Sequence, residues 1–142
     1  MRFIETAAAA ALFAVALGGS AFAEETKFMA MLTAAEEVPP TNSAGTGTAD
    51  ITWNSDTKEL TWTLEFSGLS GPATAAHFHG PADPGANAGP QVPITGLESP
   101  STGTATLTDA QAQELADGKW YVNIHTEQHP DGEIRGQVVA GM

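Results

Sequence analysis

Residues 120–126, with the sequence Trp-Tyr-Val-Asn-Ile-His-Thr, decide the class of fold. Val122 and Ile124 alternate with Asn123 and His125, which is the two-residue period of a β-strand that buries one face. Valine, isoleucine, threonine and aromatic residues are the types that strands favour. The stretch therefore predicts a strand with an apolar face toward a core and a polar face that carries a histidine.

Similar short segments recur along the chain and are separated by Gly, Pro, Asn, Asp and Ser. They are Lys27–Thr33, Thr46–Trp53, Leu60–Phe66, Thr74–His79, Thr102–Leu107 and Ile134–Val139. One helix interrupts them over Ala110–Ala116, because Thr108 and Gln111 have the spacing of a capping box and Gly118 can end the helix. The pattern predicts an all-β protein: an antiparallel Greek-key β-sandwich or flattened barrel with one short helix.

The first 23 residues have the features of a signal peptide. Arg2 is followed by the apolar run Ala7–Leu17 and by Ala21-Phe22-Ala23, which fits the A-x-A cleavage pattern. The apolar run is too short for a membrane span. We therefore expect cleavage after residue 23, a periplasmic or secreted protein without a membrane span, and a single domain over residues 24–142.

Charge and cysteine content exclude several kinds of function. The net charge of −12 argues against nucleic acid or an anionic membrane as a partner. The sequence contains no cysteine, which excludes thiolate metal sites and cysteine nucleophiles. A small exported domain without disulfides depends on core packing or on a bound ion for its stability.

His77-Phe78-His79 is the stretch that points to a site. On a strand His77 and His79 share one face and Phe78 takes the other. If Phe78 faces the core, both histidines lie on the outside of the sheet with His125. The connection Gly80–Pro100 is long and rich in Gly and Pro, and it is predicted to cover this face, since long loops in compact domains are usually functional.

Three converging imidazoles predict a transition-metal site. Imidazole suits copper, zinc, nickel and iron, and the Irving–Williams order favours copper(II), with zinc as the less favoured occupant. The acidic residues do not have the spacing of a calcium-binding loop. His129, in the turn before Pro130, is a further candidate ligand. In the alternative interpretation, His77 and His79 are structural residues that bind the backbone of the loop.

Other polar residues on the same strands could assist the histidines. Arg135 could lie beside the site and attract an anion such as superoxide, but we favour an ion pair between Arg135 and an acidic neighbour such as Glu133 or Glu127. Asn123 and Glu133 are predicted to share the histidine-bearing face, where either could orient an imidazole.

Two adjacent acidic residues, Glu36 and Glu37, precede Pro39-Pro40 in a stretch that resembles a turn. We expect both carboxylates to be solvated, and we do not expect them to act as a general acid and base.

Four motifs resemble the CHRD domain, a repeat first described in chordin and also found singly in many exported bacterial proteins. They are Ala34–Pro40 (AAEEVPP), His77–Ala82 (HFHGPA), Gly118–Thr126 (GKWYVNIHT) and Pro130–Val138 (PDGEIRGQV). The resemblance covers almost all of residues 24–142. The resemblance implies an extracellular domain but no particular activity. By analogy with chordin, the alternative function is a protein-interaction module that binds no metal.

The chain also has a more distant resemblance to Cu/Zn superoxide dismutase. That family carries His-x-His on one strand and a further copper-binding histidine on a late strand, so His77, His79 and His125 would match three copper ligands. Gly80–Pro100 contains no histidine, and the zinc subsite therefore has no counterpart here. The resemblance implies a copper-only site, which would serve either superoxide chemistry or copper carriage.

Overall fold

Nine strands and one short α-helix make up residues 24–141, the part of the chain that the computed structural model describes. The strands and the helix are β1 (Glu25–Thr33), β2 (Thr46–Asn54), β3 (Glu59–Ser67), β4 (Ala73–His79), β5 (Pro90–Pro93), β6 (Ser101–Thr106), α1 (Asp109–Ala116), β7 (Tyr121–Thr126), β8 (Ile134–Gln137) and β9 (Val139–Ala140). The expected signal peptide, residues 1–23, lies outside the described residues. Among those described, no helix is long and apolar enough to cross a membrane.

The strands form one curled antiparallel sheet in the order β5-β4-β7-β8-β1-β2-β3-β6, with β9 beside β1. Helix α1 follows β6 and reaches the opposite end of the sheet, where Gln111 Nε2 donates to Oε1 of Gln91 in β5 at 3.1 Å. The result is a nearly closed barrel or sandwich. The predicted all-β class, the single short helix and the capping box of Thr108 and Gln111 are confirmed.

The apolar residues at alternate strand positions form the core. The most deeply buried include Phe78 in β4, Val122 and Ile124 in β7, and Ile134 in β8, all with no exposed surface. Each such side chain contributes about 1.5–3 kcal/mol when it leaves water. Because Phe78 points inward, the histidines on either side of it point outward, as the sequence predicts.

The loop after β4 covers the outer face of β4 and β7. It contains β5, a strand absent from our prediction, which pairs with β4 from His77 to His79. Residues 86–88 of the loop contact side chains of β4, β7 and β8. The expectation that Gly80–Pro100 covers the histidine-bearing face is confirmed at His79, which is buried, whereas His77 and His125 stay partly exposed.

A buried carboxylate ties β8 to two loops. Glu133 has no exposed surface and accepts hydrogen bonds from the hydroxyls of Ser43 (2.8 Å), Thr126 (2.7 Å) and Ser70, and from Ser70 N–H (2.9 Å). Burial alone would raise the pKa of Glu133, but these bonds outweigh it and bring the pKa to about 2. The prediction that Glu133 orients an imidazole is wrong, because its carboxylate accepts its hydrogen bonds from serine and threonine hydroxyls and from a backbone N–H.

Candidate metal centre

Strand register brings His77, His79 and His125 together. In the β4–β7 pair, His77 lies opposite Asn123 and Ala75 lies opposite His125, so His77 and His125 are diagonal neighbours on one face. The ring centroids are 5.3 Å apart for His77 and His125, 5.4 Å for His77 and His79, and 6.3 Å for His79 and His125. One nitrogen from each ring lies within 4.8 Å of the others. The three histidines could therefore hold a metal ion.

Two of the rings have a buried nitrogen that is not satisfied. His125 donates from Nδ1 to the carbonyl of Pro130 at 2.9 Å, and its Nε2 is buried without a hydrogen-bond partner in residues 24–141. Nδ1 of His77 is also buried without a partner there. Buried polar atoms are rarely left unpaired in native proteins, so these two nitrogens are candidates to bind a ligand. The bond from Nδ1 of His125 to a backbone carbonyl is the usual way a metal-binding imidazole is oriented.

The third imidazole, His79, is held on three sides. Its Nδ1–H donates to the carbonyl of Ala88 at 2.9 Å, and its ring stacks on Tyr121 with centroids 4.8 Å apart and planes inclined by 1°. Nε2 lies 2.9 Å from Oδ1 of Asn123, which confirms the predicted contact between Asn123 and an imidazole. A neutral imidazole has one N–H, so Asn123 satisfies Nε2 only by turning its NH₂ group to the ring. A metal ion bound at Nε2 would replace that amide.

Burial and neighbouring charges favour the neutral form of His77 and His79, which is the form that binds a metal ion. Burial lowers the pKa of His77, and the charges that His79 and His125 would carry lower it further. Burial also lowers the pKa of His79, more than its hydrogen bonds to Ala88 and Asn123 raise it. Deprotonated imidazole is the form that binds metal ions.

The spacing fits an ion after a small adjustment. Copper or zinc bonds to imidazole nitrogen at about 2.0–2.1 Å, so two ligand nitrogens on one ion are roughly 3–4 Å apart. Nitrogens within 4.8 Å of one another need to approach by only about 1 Å, which rotation of the side chains supplies.

Arg135 does not make the ion pair that we favoured from the sequence. Its side chain is 2 % exposed and donates from Nη1 to Oδ1 of Asn87 at 2.8 Å and from Nη2 to the carbonyl of Ala86. The expected acidic partner Glu133 is bonded to Ser and Thr hydroxyls instead. Attraction of an anion by Arg135 stays a prediction, and its observed contacts are with the covering loop.

A stack of three side chains connects Arg135 to His79. The guanidinium lies 3.5 Å from the centroid of the Tyr121 ring, which in turn stacks on His79. Arg135 is on β8 and His79 is on β4, the strands on either side of β7, so Tyr121 stands between them. The Tyr121 hydroxyl also donates to the Ala88 carbonyl at 3.0 Å and accepts from its N–H at 3.1 Å. Tyr121 and Arg135 thus fix the loop carbonyl that orients His79.

We expect Arg135→Leu to weaken metal binding by about 10–100-fold, the usual loss when a residue that orients a ligand is removed. The reason is that residues 86–88 lose two hydrogen bonds and Tyr121 loses its cation, although Arg135 does not touch the three imidazoles. Isothermal titration with copper(II) measures the change. Lys119→Leu removes the same charge from a partly exposed position, together with an ion pair to Asp83, and leaves the contacts of residues 86–88 in place; it is the control and should bind as wild type does. Equal affinity in Arg135→Leu and Lys119→Leu would contradict this role.

Glu37 is buried, and the prediction that it is solvated is wrong. Its side chain is 5 % exposed because the 3-10 turn Ala34–Glu36 directs it under the turn at Gly132. Burial raises the pKa of Glu37 to about 7, and the positive charge of Arg135 acts in the opposite direction. Nothing in the sequence around Glu37 indicates this burial. A role for Tyr121 at the site was predictable, because Tyr121 shares a strand face with Asn123 and His125.

His129 lies apart from the three histidines. Its Nε2 is 4.0 Å from Oε1 of Glu133, and it is not a member of the group whose ring nitrogens come within 4.8 Å of one another. A role for His129 as a further ligand stays a prediction.

The family model of the CHRD domain matches residues 28–138. The chain therefore belongs to the CHRD domain family. Comparisons with curated proteins and with solved structures found no match.

Proposed function

We propose that this CHRD domain binds one transition-metal ion, copper before zinc, through His77, His79 and His125. The observation that carries the proposal is a group of three histidines with ligand atoms within 4.8 Å of one another, in which His77 and His125 each have a buried ring nitrogen without a partner in the described chain. Imidazole ligands without thiolates suit copper(II), which stands highest in the Irving–Williams order.

Two roles are compatible with such a site. An open coordination position with redox cycling would support superoxide chemistry, as the distant resemblance to Cu/Zn superoxide dismutase suggests. A closed site would support copper carriage or add stability. The residues of the chain contribute in the same way to both: Ala88 and Pro130 orient two rings, and burial keeps His77 and His79 neutral.

The proposed place of action is the periplasm or the exterior of the cell. The support comes from the sequence of residues 1–23, with its A-x-A pattern, and from the absence of cysteine in the whole chain. Copper in such a compartment meets imidazole ligands without competition from thiolates of this protein.

Copper titration of the metal-free protein in the presence of a competing chelator tests the proposal. We expect one copper(II) per chain, nitrogen hyperfine structure from imidazoles in the electron paramagnetic resonance spectrum, and weaker binding of zinc. Calcium at the same concentration should not bind. Absence of stoichiometric copper would leave the metal-free interaction module as the better account. Superoxide turnover by the copper-loaded protein then separates the enzyme from the carrier.

A further inference from the structure

A cavity of about 350 Å³ adjoins the histidines and extends beyond them to Glu37 and Arg135. The residues that matter for its chemistry are Glu37, His79, Asn123, His125 and Arg135. Two of the three candidate ligands thus line the same cavity as a buried carboxyl group and a buried guanidinium.

Glu37 is an unpartnered polar group in the wall of this cavity. Its side chain is about nineteen-twentieths buried, and its Oε1 is buried without a hydrogen-bond partner in the described part of the chain. A buried carboxylate oxygen in that state costs free energy, on the order of 1–3 kcal/mol, unless something binds to it.

Gly132 shapes the space around this carboxylate. A Cβ at position 132 would lie 2.6 Å from Oε1 of Glu37 and 2.9 Å from Nδ2 of Asn123, and the φ of +123° also disfavours any side chain. A side chain at position 132 would therefore displace both the Glu37 carboxyl group and the Asn123 amide, and only glycine leaves room for them.

The N–H groups of Arg135 do not donate a hydrogen bond to the buried Oε1 of Glu37. Nη1 and Nη2 donate to Asn87 and Ala86, and the guanidinium face lies on Tyr121. Two acids, Glu37 and Asp131, and one cation, Arg135, line the cavity, so the charges of the protein disfavour an anion in it relative to a neutral molecule.

We propose that the cavity binds a small neutral ligand that coordinates the metal ion through one nitrogen or oxygen atom and donates a hydrogen bond to Glu37 from another N–H or O–H group. This inference rests on the proposed metal site and adds the chemical class of its exogenous ligand. Glu37 acts as a specificity-determining residue that distinguishes ligands with a second donor from ligands without one.

Imidazole and 1-methylimidazole form a matched pair of probes. Both coordinate copper through the same type of nitrogen, and only imidazole retains an N–H. The copper-loaded full chain is titrated with each azole, the copper absorption and paramagnetic resonance spectra report binding, and free copper(II) provides the reference ratio. We expect imidazole to bind about tenfold more tightly than 1-methylimidazole, which corresponds to the gain of one hydrogen bond.

Glu37→Met removes the acceptor and keeps the size of the side chain, so the ratio should fall to about one. Glu36→Met makes the same charge change at the exposed neighbouring position and should keep the tenfold ratio. Glu37→Gln retains an uncharged acceptor and should give about threefold, which provides a second variant if Glu37→Met does not fold.

The outcomes distinguish the two proposals. A protein that binds no copper overturns the metal site and this inference with it. If copper binds but the azole ratio is about one in wild type, the ligand inference alone is overturned. A ratio that stays near ten in Glu37→Met and Glu37→Gln also overturns it, because the cavity then excludes the methyl group of 1-methylimidazole by its size. Copper spectra that do not change with either azole have the same meaning.

Discussion

Replacement of Glu133 by alanine is expected to lower the free energy of unfolding by about 3–5 kcal/mol at neutral pH. The carboxylate accepts four hydrogen bonds from Ser43, Ser70 and Thr126, and none of its surface is exposed. Hydrogen bonds to a charged group are worth about 1.5–3 kcal/mol each, and the full sum is reduced because some of the donors can find water in the variant. Chemical denaturation followed by tryptophan fluorescence measures the loss.

The same carboxylate gives stability a pH dependence with a definite sign. The pKa of Glu133 is about 2 in the folded chain and 4.5 ordinarily, so its contribution is complete above pH 4.5 and is lost as the pH falls toward 2. The difference corresponds to about 3 kcal/mol. Glu37 acts in another window, because its raised pKa makes stability fall as the pH rises from 4.5 to about 7.

Two variants separate this contribution from a general effect of acid. Glu133→Gln should lose less stability than Glu133→Ala at neutral pH, and its decline between pH 4.5 and 2 should be shallower than that of wild type. Glu127→Gln, an exposed acid in the preceding turn, should match wild type throughout. If the acid limbs of Glu133→Gln and wild type coincide, the hydrogen bonds do not hold Glu133 ionised.

The double variant His77→Ala/His79→Ala should lose at least about 100-fold in copper affinity, since it removes two of the three proposed ligands. Ligand that binds only the folded chain stabilises it, by about 2.7 kcal/mol at one hundred times the dissociation constant. Wild-type protein with copper at that concentration should therefore unfold at a clearly higher temperature than metal-free protein, and the shift in the double variant should be several times smaller or absent. Calorimetry with and without copper measures both.

His129→Ala is the matched control, because His129 lies outside the group of three and its Nε2 is 4.0 Å from Glu133. If His77, His79 and His125 alone hold the ion, the copper-dependent shift of His129→Ala equals that of wild type, whereas a smaller shift would make His129 a further ligand. A shift that survives in the double variant and disappears in His129→Ala would place the ion elsewhere on the protein and would refute the proposed ligand set.

Strand alternation was sufficient to predict the histidine face. Phe78 and Val122 are apolar and point inward, so the period of two determines where His77 and His125 point. Cover by the loop after His79 was predictable for the same reason, since a polar face that carries a site needs shielding from solvent.

Contacts between segments distant in sequence were not predictable. Glu37 is an acid next to two prolines, and its burial depends on the 3-10 turn before it and on Gly132, ninety-five positions later. We expected Arg135 to pair with an acidic neighbour along its hairpin, but it donates hydrogen bonds to Ala86 and Asn87 of the loop instead. Local propensity carries no information on which loop atoms meet a side chain.

The pairing of β4 with β7 has a consequence for the order of events during maturation. His77 and His125 are 48 positions apart, and they become neighbours only when these strands pair. A chain in which these strands have not yet paired offers an ion the two neighbouring imidazoles of His-x-His without His125 beside them. Capture by all three rings must then wait until the intervening loop has closed, so metallation would follow folding and would mark the chains that have completed it.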